Sequence, residues 1–291
     1  MVSVVVATYR REGALKNALQ SLSRQTYDNL EIILVDDNGN AEWNTRVKSI
    51  VNSFPSLNLR LIVDNLNKGS ANARNEGIFG AKGEYITFLD DDDIYLSRKI
   101  EKQVKCISEV EADFCLTDLY LYNEKDVQID KRIRNYIKKT DKKSLLTYHL
   151  LYHMTGTDTL MFKTKFLQQI GGFPPIDVGD EFYLVLRAIE NGCKLVYLPD
   201  CDVKAYVHSK NGGLSTSENK INGENELYKK KQAFFDQVDK SEVRFIKMRH
   251  YAVLAVANKT SGKYCAVLSN LIKSFMVTPI GFVKLYISHK G

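Results

Sequence analysis

Cysteine is scarce and unpatterned in this chain: Cys106, Cys115, Cys193, Cys201 and Cys265 form an odd set with no Cys-x-x-Cys spacing. Neither a disulfide framework nor a zinc site follows from such a set, and the reduced thiols of a cytoplasmic protein are expected. No uninterrupted apolar stretch reaches about 18 residues, so no membrane-spanning helix is expected. The apolar run at residues 2–7 follows Met1 directly, which leaves no room for the three regions of a signal peptide, and export by that route is not expected. Internal repeats and low-complexity tracts are absent. So are glycines in Thr8-Tyr9-Arg10-Arg11-Glu12, the segment after the first apolar run. A nucleotidyltransferase would be expected to carry a Gly-rich phosphate loop there.

What is present is a 291-residue chain with 44% hydrophobic content, long enough for one large α/β domain and an appendage. Its net charge of +6 is unevenly spread. Residues 219–291 hold 13 Lys+Arg against five Asp+Glu, while the first 218 residues hold 28 against 30. The basic tail suits nucleic acid, an anionic membrane surface or an acidic partner without choosing among them.

Residues 2–7, 30–35, 59–63 and 85–89 are apolar, β-type runs, and helix-type segments at 12–24, 44–53, 70–80 and 98–110 follow them in turn. Continuous apolar strands alternating with amphipathic helices predict a mostly parallel sheet covered on both faces, the pattern of a nucleotide-binding half-domain. Ligands of such sheets collect beyond the carboxyl ends of the strands. The segments there are polar: Thr8 to Arg11, then Asp36-Asp37-Asn38, Asp64-Asn65 and an aspartate run. Beyond residue 110 the alternation weakens, with strands expected at 114–122, 159–162, 194–198 and 203–207 and helices at 142–151 and 180–191. From about residue 221 the chain reads as helical, with breaks at Ser261-Gly262 and Pro279. A catalytic domain of residues 1–215 and a helical region of 216–291 are expected.

The aspartate run is the strongest signal. Asp90, Asp91, Asp92 and Asp93 close the apolar run Tyr85-Ile86-Thr87-Phe88-Leu89, and four adjacent carboxylates at the mouth of a buried strand repel unless a cation or strong donors share the site. Hard oxygen ligands suit Mg²⁺ or Mn²⁺, which take the rest of their shell from water and substrate phosphates. If strand geometry persisted, Asp90 and Asp92 would point one way and Asp91 and Asp93 the other. A solvated acidic turn or a helix-capping cluster is the plain alternative.

Ala7-Thr8-Tyr9 with a basic residue following, Val35-Asp36-Asp37, the segment from Asn67 through Arg74 to Asn75, and Phe88-Leu89 with the aspartates occur in an order and spacing that resembles family 2 glycosyltransferases. The resemblance spans roughly residues 1–215. It implies a glycosyltransferase-A fold, Rossmann-like, with a C-terminal helical extension, and a UDP-sugar donor bound across the strand rim. Thr8, Tyr9 and Arg11 would then line the nucleotide site, Asp37 would accept a hydrogen bond from the uracil ring, and Arg74 would lie near base or phosphate. Asp92 would sit on the metal, Asp91 near the ribose and Asp90 at the first position of the Asp-x-Asp pair. His208 would be a further metal or diphosphate contact, with the following segment Ser209-Lys210-Asn211-Gly212-Gly213 as a lid. Gly171-Gly172-Phe173 matches an element near the acceptor.

Such transfer needs a general base for the acceptor hydroxyl. The family commonly shows an acidic pair ending in Asp, six residues before an Arg. Counting back from Arg187 gives Glu181 the base position with Asp180 beside it, the reverse of the usual order. Glu181 is slightly favoured, Asp180 stays open, and both can instead be carboxylates complementing a helix dipole. Inversion at the anomeric carbon is implied by the resemblance. A saccharide or lipid-linked saccharide acceptor of bacterial-type surface glycan synthesis is the expected second substrate, at the inner face of the cell membrane, and nucleic acid is not among the expected partners. Tyr264, Val267, Leu268, Leu271, Ile272 and Phe275 recur at helical spacing, with Phe282, Lys284 and Tyr286 beyond. That apolar face would pack on the catalytic domain, on a second subunit, or on an anionic membrane surface. A catalytically silent sugar-nucleotide-binding or scaffold protein and a nucleotidyltransferase are the alternatives.

Overall fold

A computed structural model describes residues 1–176, 178–208 and 217–288, with the side chains of Ser217 and of residues 284–288 left out. The segment 209–213 and the side chains of Lys284 and Tyr286 therefore lie outside the described residues. The strands are β1 (Val2–Thr8), β2 (Leu30–Asp36), β3 (Leu59–Val63), β4 (Tyr85–Phe88), β5 (Ile94–Tyr95), β6 (Phe114–Thr117), β7 (Leu119–Asn123), β8 (Gln128–Arg132), β9 (Leu160–Lys163), β10 (Leu195–Leu198) and β11 (Val203–Val207). Helices α1 (Glu12–Leu22), α2 (Ala41–Asn52), α3 (Ser70–Gly80), α4 (Lys99–Glu109), α5 (Lys142–Tyr152), α6 (Thr164–Gln169), α7 (Asp180–Glu190), α8 (Ser217–Gln232), α9 (Lys240–Thr260), α10 (Tyr264–Val277) and α11 (Pro279–Ser288) complete the chain, with a 3-10 turn at Thr157–Thr159.

Seven strands form one sheet in the order β10-β6-β9-β4-β1-β2-β3. All neighbours run parallel except β9, which is antiparallel to both β4 and β6. Register brings the carboxyl ends level: Thr8 pairs with Asp36, Asp36 with Val63, and Val5 with Phe88. The polar segments after β1, β2, β3 and β4 thus open on one rim. Both faces of the sheet are covered, as its apolar runs demand. Val4, Val6, Ile32 and Leu34 pack with Leu15 and Leu19 of α1 in one core, while on the neighbouring pleats Val5, Ile33 and Val35 are equally buried. Against Val5 lies α3, so close that a Cβ on Gly77 would sit 2.3 Å from Val5 Cγ1.

A second sheet has the order β5-β11-β7-β8. The strand expected over 114–122 is two strands, β6 in the large sheet and β7 in the small one, divided at Asp118. Asp118 is buried, and its Oδ1 accepts the backbone N–H of Arg134 (2.8 Å) and the hydroxyl of Tyr197 (2.8 Å). An anchored carboxylate at mid-run diverts the chain between sheets. Strand β8 carries no apolar alternation to announce it, its five residues all being exposed; a charged edge strand of this kind resists edge-to-edge pairing.

The chain divides into two compact units, residues 1–142 with 154–210 and residues 143–153 with 211–291. The second thus takes in 143–153, part of α5, which a boundary at 216 leaves with the first. It is helical, as its periodicity predicts, with breaks between α9 and α10 around Gly262 and before Pro279. A further break separates α8 from α9, where Asp239 and Glu242 form a capping box. Within this unit the His250 ring stacks on Tyr228 at 4.0 Å.

Candidate active site

The aspartate loop does not continue the strand. After β4 the chain turns, Asp93 N–H donating to the Asp90 carbonyl at 3.1 Å, and the expected two-and-two alternation is replaced by four separate destinations. Asp90 accepts from Arg74 Nη2 at 2.6 Å. Asp91, buried, accepts from the Thr8 hydroxyl (2.8 Å), the Tyr9 N–H (3.2 Å) and Arg11 Nη1 (3.1 Å). Burial pushes its pKa up to about 6 against the opposing pull of Arg11. Asp92 is in ion-pair contact with Arg11, and its Oδ2 lies 2.8 Å from His208 Nε2. Asp93 accepts the Tyr206 N–H at 2.8 Å and lies against Asp158. The local reason is the turn itself: consecutive residues of a turn fan outward, so each carboxylate meets a different element.

Asp158 carries no sequence signal; it belongs to the 3-10 turn before β9, 65 residues past the loop it serves. Its Oδ1 accepts the Asp90 N–H at 2.7 Å. Asp93 and Asp158 are both buried: burial, then the charge of Asp158, holds Asp93 well above the usual carboxylate range, and burial, then the charge of Asp90, raises Asp158 to about 7. Behind this pair Lys99 is wholly buried, its ammonium 2.6 Å from Thr87 Oγ1 and 2.7 Å from Tyr95 Oη, and desolvation lowers its pKa to about 7. Tyr95 Oη in turn donates to the Phe88 carbonyl at the end of β4. The loop therefore rests on a buried polar floor.

Arg74 on α3 joins the loop to α7. Its guanidinium, buried over the Phe173 ring at 5.3 Å, bonds Asp90 through Nη2 and Asp180 through Nη1 at 3.2 Å. Burial alone would favour deprotonation, but the two carboxylates hold it firmly charged. Asp180 and Glu181 open α7 after Gly179, whose φ of +87° makes the entering turn. The two carboxylates differ sharply. Glu181 accepts the N–H groups of Gly156 (2.9 Å) and Thr157 (3.0 Å) and the Thr157 hydroxyl, which fixes the turn carrying Asp158. Asp180 has Arg74 as its ion-pair partner, and burial, opposed by Arg74 and reinforced by Glu181, raises its pKa to about 6.

On the far side of the rim Asp37 is buried and accepts the N–H groups of Lys68 (2.6 Å) and Gly69 (2.9 Å), one on each oxygen. A carboxylate keeps further lone pairs after two such bonds. Burial raises its pKa despite them. Tyr9 is exposed, with the Arg10 guanidinium 5.0 Å from its ring centroid. Arg10 itself has φ +54°, an uncommon conformation for a side-chain-bearing residue, tied by its N–H to Asn38 Oδ1 at 2.8 Å.

The Gly171-Gly172-Phe173 element is clamped to α3: Asn75 Oδ1 accepts the Phe173 N–H and Asn75 Nδ2 donates to the Phe173 carbonyl, both at 2.8 Å. Gly172 has φ +62°, and a Cβ there would sit 2.4 Å from Asn75 Oδ1. Gly172→Ala is therefore expected to cost about 2 kcal/mol or more, from left-handed backbone strain and the broken clamp. Chemical denaturation measures it, and an unchanged midpoint contradicts it.

The carboxylates of Asp90, Asp93 and Asp158 each offer an oxygen within 4.8 Å of the others, an acidic cluster able to hold a metal ion. Across the loop, six carboxylates (the four aspartates, Asp158 and Asp180) meet two guanidiniums, Arg11 and Arg74. The formal balance is negative, and hard oxygens of this kind suit a divalent cation; Asp92 and His208 lie outside the three-carboxylate cluster.

Residues 3–168 match the sequence profile of glycosyl transferase family 2. An uncharacterized glycosyltransferase of Methanocaldococcus jannaschii is 28% identical over 219 residues, 74% of this chain and 73% of that protein. The UDP-Glc:alpha-D-GlcNAc-diphosphoundecaprenol beta-1,3-glucosyltransferase WfgD of Escherichia coli is 30% identical over 127 residues, 44% of this chain and 49% of its own length. The chain thus aligns with about half the length of that bacterial relative. Among solved structures, S. aureus TarS in complex with UDP-GlcNAc superposes with a TM-score of 0.62 at 17% identity, over 93% of this chain and 89% of that one. The mannosyltransferase PcManGT of Pyrobaculum calidifontis, in complex with GDP-Man and Mn²⁺, gives 0.63 at 17% identity over 99% and 84%. At that identity the likeness is one of fold, and the fold is that of glycosyltransferase-A enzymes.

Proposed function

The chain belongs to glycosyl transferase family 2, and from that premise we propose that it is an inverting, metal-dependent glycosyltransferase that moves a sugar from a UDP-sugar to a saccharide or lipid-linked saccharide. The observation that carries this reading is the Asp90–Arg74–Asp180 chain, which ties the aspartate loop to a partly exposed carboxylate whose pKa of about 6 suits a general base.

Asp180 rather than Glu181 is the base in this proposal. Both oxygens of Glu181 are engaged by three donors of the Gly156 and Thr157 turn, which commits that carboxylate to holding the turn. Asp180 takes the proton of the acceptor hydroxyl as the acceptor oxygen forms its bond to the anomeric carbon; the bond from that carbon to the β-phosphate oxygen breaks on the opposite face, and its electron pair leaves with UDP. Attack from the face away from the nucleotide inverts the centre. Arg74 holds Asp180 ionised and oriented, and Phe173 shields the pair from water.

Asp90, Asp92 and His208 are the proposed metal ligands, because Asp92 and His208 already meet at 2.8 Å on the exposed side of the loop. Asp158 instead holds the Asp90 N–H, and Asp93 holds the Tyr206 N–H. A divalent ion bound there would offset the charge that grows on the departing diphosphate. Thr8 and Arg11 hold Asp91 for the ribose, while Tyr9 offers a stacking face and Asp37 a carboxylate to the base.

Supporting the acceptor class, WfgD is named for a diphosphoundecaprenol-linked substrate, and an enzyme of that kind would work at the inner face of the cell membrane. Fold alone does not choose the nucleotide, since neighbours with UDP-GlcNAc and with GDP-Man superpose almost equally. Asp37 chooses it here. Thermal unfolding across UDP-, GDP- and dTDP-sugars with Mn²⁺ is expected to show the largest stabilisation with UDP-sugars, about 2.7 kcal/mol at a hundredfold excess over Kd. A larger effect of GDP- or dTDP-sugars overturns the assignment of Asp37.

A further inference from the structure

Helix α10 leaves a long apolar row exposed. Its packed side carries Ser274, wholly buried with its hydroxyl donating to the Met248 carbonyl of α9 at 2.8 Å, and Asn270, bonded back to Ala266. Its outward side carries Tyr264, Leu268, Ile272 and Met276, four residues apart and 72%, 61%, 55% and 73% exposed. Ile280 and Val283 of α11 are exposed as well. A surface helix ordinarily turns its apolar stripe to the core; here Val267 and Leu271 are half-buried and a second apolar row stands exposed beyond them, which marks an interaction surface.

We propose that this face lies on an anionic lipid surface. Charge selects that occupant. Residues 243–291 contain eight Lys+Arg and no Asp or Glu, and Lys263 and Lys273 on the helix are exposed beside the apolar row. An isologous contact with a second copy would set two such acid-free surfaces against each other, and like charges repel. Anionic head groups answer the same lysines while the acyl boundary takes Leu268, Ile272 and Met276. Among the described residues no helix is long and apolar enough to cross a membrane, so the helix lies in the interface plane. The inference does not depend on the donor, the metal or the base assigned above.

Sedimentation of the full chain with phosphatidylcholine vesicles, with and without phosphatidylglycerol and in the absence of any sugar nucleotide, tests it. Binding is expected to rise at least about tenfold with phosphatidylglycerol and to weaken with salt. The double variant Leu268→Glu/Ile272→Glu is expected to lose it, and Lys263→Glu/Lys273→Glu, which leaves the apolar row intact, to lose the preference for the anionic lipid. Circular dichroism confirms that each variant is folded, and if the apolar pair is not, the lysine pair decides. No gain with phosphatidylglycerol, or a lysine variant that binds like the unaltered chain, overturns the proposal. So does a dimer that dissociates on Leu268→Glu/Ile272→Glu, since a second copy then covers the face.

Discussion

Asp180→Asn is expected to cut turnover by about 10³-fold while leaving the affinity for the donor nearly unchanged, because the amide keeps the shape but cannot take a proton. The pH dependence carries the same information. Burial raises the Asp180 pKa to about 6, so kcat/KM should fall about tenfold per unit below about pH 6, and that acidic limb should vanish in the variant. Stability moves the other way. A carboxyl that binds its proton more tightly folded than unfolded contributes stability that is full below the unfolded pKa and lost as pH rises through about 6. Near pH 7 the charged form is therefore held at some cost, and Asp180→Asn should not lower the melting temperature there. Glu181→Gln should show the opposite profile. It weakens three hydrogen bonds that fix the Gly156 and Thr157 turn, for a loss of about 1–3 kcal/mol, with a much smaller effect on rate. Reversed profiles would move the base to Glu181. Full turnover in both variants would leave neither carboxylate as the base.

How far this arrangement can be read from sequence depends on whether a residue's partners are local. The strands β1, β2 and β4 announce themselves because both their faces are packed, so most of their side chains are apolar, and the parallel register then fixes Thr8, Asp36 and the aspartate loop on one rim. Helix ends were legible where a glycine takes a left-handed conformation, as Gly192 does at φ +73° after α7. Contacts made at long range were not. Nothing near Asp158 signals that its carboxylate will hold the Asp90 N–H, and nothing in Lys99, which reads as a surface residue of an amphipathic helix, signals complete burial against Thr87 and Tyr95. The reading of Asp90 to Asp93 as an extended strand failed for a related reason. Strand geometry needs a ladder on at least one side, and β9 pairs with β4 only as far as Thr87, so the aspartates are free to turn.

Removal of divalent ions is expected to depress turnover by at least about 10³-fold and to weaken donor binding, with Mn²⁺ restoring both. The reason lies in the charges around the loop. Arg11 and Arg74 are the cations paired with the loop aspartates, and each is already committed, Arg11 to Asp91 and Asp92 and Arg74 to Asp90 and Asp180. A diphosphate brings further negative charge to a rim that is acidic before it arrives, and at a separation of 4 Å two like charges repel by about 4 kcal/mol near a protein surface. Asp92→Ala should therefore reproduce the metal-free enzyme, and chelation of the variant should cost little more, since two perturbations that remove one interaction do not add. His208→Ala should fall between, because it removes one neutral ligand and leaves both carboxylates. Isothermal titration with Mn²⁺ separates the effects on ion and donor. Turnover that survives chelation, together with an Asp92→Ala variant of ordinary activity, would mean that Arg11 and Arg74 alone neutralise the leaving group, and the loop would then serve to position those two cations and to hold no ion at all.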